Sequence, residues 1–244
     1  LLLFLLFYSS SSGFKKYKLH GGYQLDKYNI NLDNANKYSV LFSKINPLKT
    51  LKEDNLLFNS KLLSLKGNEY VKGYFQTEKY FLQIRETLIK QFIINTEIKD
   101  STKNYKEKIT EAENSCSIHI RRGDYVTNNK SNSIHGTCSL DYYKQAIKII
   151  EDKYKNITFF IFSDDISWAK ENLNLANAIY IDHKCLPHED IYLMSLCKHN
   201  ITANSSFSWW AAWLNENISK TVVAPKQWFV DKENEIACLN WIKI

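Results

Sequence analysis

The chain lacks the cysteine spacing of zinc or redox chemistry: Cys116, Cys138, Cys185, Cys197 and Cys238 are scattered and odd in number, with no Cys-x-x-Cys. They read as reduced, mostly structural thiols of a cytosolic protein. A membrane span is missing too. Leu1 to Tyr8 is an apolar octet with no Met ahead of it, far short of the roughly 18 to 20 residues a spanning helix needs. It is expected to be a buried strand whose preceding sequence is missing, and Ser9 to Gly13 a loop. No Lys/Arg block or aromatic RNA-binding motif occurs, so the net charge of +6, spread along the chain, favours mild attraction to anionic substrates or membrane surfaces and argues against a nucleic-acid partner. Asn156, Asn200, Asn204 and Asn217 each open a glycosylation triplet, but a chain this rich in Asn, Ser and Thr produces such matches by chance.

What is present is a globular composition: 244 residues, 44% hydrophobic and 14% aromatic, enough for one large domain or two small ones. From Cys116 onward the pattern alternates. Cys116 to Ile120 is a short apolar run that reads as a buried strand. Leu140, Tyr143, Ala146, Ile147, Ile150 and Tyr154 recur at helical spacing behind a Ser139 N-cap, and Ile157 to Phe162 is a β run. Ser163 or Asp164 then caps a short helix through Ala169 and Leu173, followed by a β run over Ala178 to Ile181. Glu189 to Lys198 is helical, Ile201 to Ala203 begins a strand, Phe207 to Asn215 is a helix, and Thr221 to Ala224 is a last strand stopped by Pro225. This order predicts a doubly wound α/β sheet. Earlier residues are less regular. Lys79 to Phe92 carries apolar residues at helical spacing, and the lysine-rich Lys99 to Glu113 reads as a linker or solvated helix between two lobes.

Three segments end a strand and could bind a ligand. His119-Ile120-Arg121-Arg122-Gly123-Asp124-Tyr125 places two guanidiniums where open α/β sheets bind ligands; such forks suit a diphosphate, with surface salt bridging as the plainer reading. An adhesion role for Arg122-Gly123-Asp124 is set aside for a segment leaving a core strand. Asn204-Ser205-Ser206-Phe207-Ser208 puts three hydroxyls at a strand-to-helix junction, where unpaired N–H groups and the helix dipole attract anions, although Ser is also simply a good N-cap. Ser163-Asp164-Asp165 could offer one carboxylate to a base or ribose while another caps. No further carboxylate or histidine stands near it at matched spacing, so no metal is expected. Trp209, Trp210 and Trp213 read as core. His183, His188 and His199 read as structural, and the role of His135 is open.

These segments, with Trp168, the run Asn200 to Leu214 and Ala224-Pro225-Lys226-Gln227-Trp228, occur in the order found in the α-1,2-fucosyltransferase family (glycosyltransferase family eleven), which the chain resembles from about residue 19 onward. Gly73 to Phe81 resembles that family's middle segment and Gly22 to Leu25 an earlier one. The resemblance implies a GT-B-type α/β enzyme of two Rossmann-like lobes, an N-terminal acceptor lobe with linker over residues 1–112 and a GDP-fucose-binding lobe over residues 113–244. The family's opening Gly-Gly-Leu-Gly-Asn-Gln turn is not found here, so the first β-α unit of the acceptor lobe is expected to be missing from an incomplete sequence.

By the same resemblance the activity is inverting, metal-independent transfer of L-fucose from GDP-fucose to the 2-hydroxyl of a terminal β-galactoside. Arg121 or Arg122 would hold the β-phosphate, with Ser205, Ser206, Phe207 and Ser208 on its other side beside Asn204. His119, Asp164 and Asp165 form the nucleoside side, with His119 and Asp165 as its contacts. Asp124, on the arginine loop, is the leading candidate for general base, with a salt bridge to Arg122 as its alternative role. Three rival readings stand: a catalytically silent GDP-sugar-binding fragment, a fucosyltransferase of different linkage, and a basic nucleic-acid binder. The expected location is cytoplasmic, near the inner face of a membrane as a peripheral protein.

Overall fold

The computed structural model describes residues 24–30, 50–53, 55–64, 70–123, 126, 133, 136–181 and 186–244. The expected strand over Leu1 to Tyr8, the loop after it, Asp124, His135, His183 and Cys185 lie outside the described residues. The chain divides into two compact units, one of residues 1–95 with Glu233–Cys238 and one of Thr96–Lys232 with Leu239–Ile244.

In the first unit, β1 (Thr50–Lys52) and β2 (Tyr70–Lys72) pair in parallel, Leu51 opposite Val71. The apolar stretch from Lys79 forms two 3-10 turns, Glu78–Tyr80 and Leu82–Ile84, before α1 (Arg85–Gln91). Phe81, with φ −140°, breaks the run. Tyr80, Phe81 and Leu88 are buried. Glu235 anchors the returning segment to this unit, accepting from the Phe58 N–H at 2.9 Å and from Lys79 Nζ at 2.8 Å.

The second unit holds the alternating pattern. It begins at Thr96, ahead of the expected boundary at residue 113, because the lysine-rich stretch forms α2 (Asp100–Glu111) and docks. Thr102 and Ile109 are buried in it, and the Lys99 N–H donates to the buried Glu189 at 2.9 Å. The apolar stripe is too narrow to stand out among lysines.

There follow β3 (Asn114–Ile120), α3 (Leu140–Lys153), β4 (Ile157–Ser163), α4 (Ile166–Leu173), β5 (Ala178–Tyr180), α5 (Pro187–Leu196), β6 (His199–Ile201), α6 (Ser206–Leu214), β7 (Val222–Ala224) and β8 (Ile242–Lys243). The strand β8 was not expected; two exposed residues carry no periodic signal. The six strands from β3 onward form one parallel sheet in the order β5-β4-β3-β6-β7-β8. Counted from β3 this is 3-2-1-4-5-6, the Rossmann order, whose direction reverses between β3 and β6.

Alternation within strands buries both faces. Phe159 and Ile161 pack with Ile118, Ile120 and the α3 residues Tyr143, Ala146 and Ile150, while Phe160 and Phe162 pack with Ile109, Leu193, Met194 and Ala211. Ser139 caps α3 as expected, its Oγ accepting from the Tyr142 N–H at 3.1 Å. No described helix is long and apolar enough to cross a membrane.

Candidate nucleotide-sugar site at the strand switch point

Register assembles the arginine loop. Ile120 lies opposite Ser163, so the residues that follow them emerge side by side at the carboxyl edge. Arg121 Nη1 is 2.9 Å from Asp164 Oδ2, and the Arg122 N–H donates to Asp164 Oδ1 at 2.8 Å. Arg122 Nε donates to Asp165 Oδ2 at 3.3 Å, and its guanidinium carbon lies 4.2 Å from the Trp168 ring centroid. Among the described residues that grip engages a ring face, Nε and two carboxylates, and it fixes in place a guanidinium fork of the kind that suits phosphate oxygens. The glycine between Arg122 and Asp124 is required by close approach: a Cβ at Gly123 would stand 2.6 Å from Asp164 Oδ2.

The same bonds decide the cap of α4. With both Asp164 oxygens turned to the arginines, Asp165 takes the N-cap instead of Ser163 or Asp164, its Oδ1 accepting from the Trp168 N–H at 3.1 Å. Ser163 Oγ accepts from the Asp165 N–H at 2.9 Å.

The second loop leaves β6, the neighbour of β3 on the other side, with Ile118 opposite Ile201. Ser205 is the N-cap of α6, accepting from the Phe207 N–H at 3.3 Å. Ser208 is buried; its Oγ accepts from the Ala203 N–H at 3.2 Å and donates to the Ser205 carbonyl at 3.3 Å. Ser206 alone of the three is exposed. Two of the expected hydroxyls thus shape the turn, and one faces outward from the positive end of the helix. Asn204, also buried, donates from Nδ2 to the Gly136 carbonyl at 3.2 Å and accepts from Cys138 Sγ at 3.6 Å. Trp209 and Trp213 are core, joined by Trp241 at 5.7 Å from Trp209.

His119 connects the two loops. Its ring lies 5.3 Å from that of Phe207, and its enclosed Nδ1 has no partner. Burial, and then the Arg121 charge, push the imidazole down to about 3, so it is neutral at ordinary pH. His199, at the other edge of the sheet, is structural as expected: Nδ1 accepts from the Thr221 N–H at 3.1 Å and the ring stacks on Tyr154 at 3.9 Å.

One residue went unread in the sequence. Asp190, in the first turn of α5, has an enclosed Oδ1 without a partner, and burial, then the adjoining Glu189 charge, push its carboxyl up to about 7. The Trp228 indole N–H, just past β7, is likewise enclosed and unmatched. Buried polar atoms are normally bonded; His199 Nε2 is the fourth such atom among the described residues. The run Pro187-His188-Glu189-Asp190 was the available signal, with acids in the first turn of a helix. Among the described residues no three His, Cys, Asp or Glu side chains converge as metal ligands would.

The arrangement offers anion-binding groups from two loops at one switch point, where doubly wound sheets bind nucleotides. Comparison with known proteins gives the same direction. The chain is 37% identical to an α-1,2-colitosyltransferase of Escherichia coli, over 91% of this chain and 81% of that one. It is 34% identical to the O-antigen biosynthesis glycosyltransferase WbnK of Escherichia coli, over 90% and 75%. With the bovine galactoside 2-alpha-L-fucosyltransferase SEC1 it shares 23% identity over 60% of this chain and 42% of that one. Residues 54–244, which include both loops and the strands that carry them, match the profile described as Glycosyl transferase family 11, and the chain belongs to that family.

Proposed function

We propose that this glycosyltransferase moves L-fucose from GDP-fucose to the 2-hydroxyl of a terminal β-galactoside with inversion. The observation that carries the reading is the meeting of the arginine loop and the α6 N-terminus at the β3/β6 switch point, in a chain of this family. In the reaction the bond from the fucose anomeric carbon to the β-phosphate oxygen breaks. A bond from the acceptor 2-hydroxyl oxygen forms on the opposite face, and the hydroxyl proton passes to a base. The departing GDP gains negative charge. Groups fixed before the reaction stabilise that charge more than the ground state and so lower the barrier. Arg121 and Arg122 supply it from one loop, Ser206 and the first N–H groups of α6 from the other. With these charges in place the diphosphate has protein counter-charge of its own, which supports transfer without a metal.

His119 and Asp165 face the nucleoside in this reading, and Asp164 holds both arginines. Asp124, outside the described residues, is the proposed base, with a salt bridge to Arg122 as its alternative role.

A second donor is favoured by the 37% identity to a colitosyltransferase. Colitose is fucose without its 3-hydroxyl, so one hydrogen-bonded contact separates the two donors; a site built to bond that hydroxyl would reject the deoxy sugar by about 10⁴-fold. The test is turnover of lactose with GDP-fucose or GDP-colitose, each with and without EDTA, with linkage analysis of the product. A 2-linked fucosyl product made in EDTA supports the reading. Strict dependence on added metal, a different linkage, or use of GDP-colitose alone defeats the corresponding part.

A further inference from the structure

The first unit carries an exposed aromatic on a tightly built turn. Tyr74 is 77% exposed, yet the backbone on either side of it is pinned. The Tyr74 N–H donates to Glu53 Oε2 at 2.7 Å and the Phe75 N–H to the same oxygen at 3.1 Å. Phe75 sits at φ +49°, a left-handed conformation that a bulky residue adopts only where its surroundings impose it. Its ring packs edge-on against buried Tyr80, centroids 5.5 Å apart. Gly73 admits no side chain, since a Cβ there would stand 2.5 Å from Glu53 Cβ.

The turn also has a defined place. Glu53 follows β1 and Gly73 follows β2, and the strands are parallel, so Tyr74 stands at their carboxyl ends, the edge at which open α/β sheets bind ligands. Single exposed aromatics are common. One held on a strained backbone at that edge, with a carboxylate and a close-approach glycine fixing it, is a presented surface.

Resting on the fucosyl-transfer reading above, we infer that Tyr74 is a stacking platform for the acceptor saccharide, taking the face of a β-galactoside where the C–H groups of carbons 3, 4 and 5 lie together. An axial 4-hydroxyl leaves that face apolar, complementary to an aromatic ring whose phenol tip stays wet. Glu53 is a positioning residue.

Saturation-transfer NMR of lactose with the full chain tests this directly. Saturation of the galactose protons on carbons 3 to 5 is expected with the wild type and with Tyr74→Phe, and its loss with Tyr74→Ala, whose exposed position predicts an unchanged melting temperature. Equal saturation by Tyr74→Ala, or none by the wild type, overturns the inference. In transfer assays Tyr74→Ala is expected to raise KM for lactose about tenfold while KM for GDP-fucose stays within about twofold; an unchanged lactose KM also overturns it. If the wild type turns over no GDP-fucose while the NMR difference stands, fucosyl transfer falls and the platform is supported.

Discussion

The two units present their parallel strands in opposite chemical terms. At the carboxyl edge of β3 and β6 the loops are charged and polar, with two arginines gripped by two carboxylates and a helix start capped by serine. At the carboxyl edge of β1 and β2 the turn is pinned by one carboxylate and shows an aromatic ring. On the proposed reading the difference matches two tasks: fixed charge for a diphosphate, whose charge grows as it leaves, and an amphipathic surface for a sugar that stays neutral. In both places glycine is required by a carboxylate, Asp164 at Gly123 and Glu53 at Gly73.

The comparison breaks most sharply at Arg122. Replacing it with Ala is expected to cut kcat by about 10² to 10³ fold, as removal of one charge-stabilising donor does elsewhere, while lactose saturation in NMR persists; unchanged turnover would remove the charged edge from the mechanism. Gly123→Ala comes next. Its Cβ would displace Asp164 and with it both arginines, and misplacement of that kind is expected to lower turnover by about 10² fold, read in the same assay beside the weaker effect of Gly73→Ala on the lactose KM.

Titration sharpens the contrast with less effect. His119 is pushed down to about 3 and His199 to about 4 from an ordinary 6.5, so the folded state binds fewer protons than the unfolded one as pH falls below 6.5, and stability from both drops toward pH 4. Asp190, raised from 3.8 to about 7, has the opposite sign: its folded form holds a proton the unfolded form releases, so its contribution is present at low pH and fades as pH rises through 7. Asp190→Asn is therefore expected to raise the melting temperature above pH 7 relative to the wild type and to do little at pH 4. A melting difference that does not change with pH would remove Asp190 from this account. Smallest of all, Ser205→Ala is expected to cost about 1 kcal/mol of stability as a lost cap, measured by denaturant melts, while Ser206→Ala leaves stability unchanged and weakens GDP binding.

Much of the second unit was legible because its strands are buried on both faces. Runs such as Ile157 to Phe162 have no other reading when turn residues bound them, and Ser139 and Ser205 mark helix starts by chemistry that acts within three residues. For α2 a solvated helix was one of the two readings, and what escaped was its docking, because only Thr102 and Ile109 in it are buried; β8 escaped because two exposed residues leave no pattern. The return of Glu233–Cys238 to the first unit rests on bonds from Glu235 to residues far away in sequence.

Local rules, acting over a few residues, were enough to determine the alternation of strands and helices, the paired arginines and the serine turn, since burial periodicity and capping are short-range. Strand order and register were decided in three dimensions. They brought Arg121 against Asp164 and moved the α4 cap to Asp165. Each of these outcomes depends on which polar groups compete for one carboxylate across neighbouring strands, and that competition exists only once the sheet has formed.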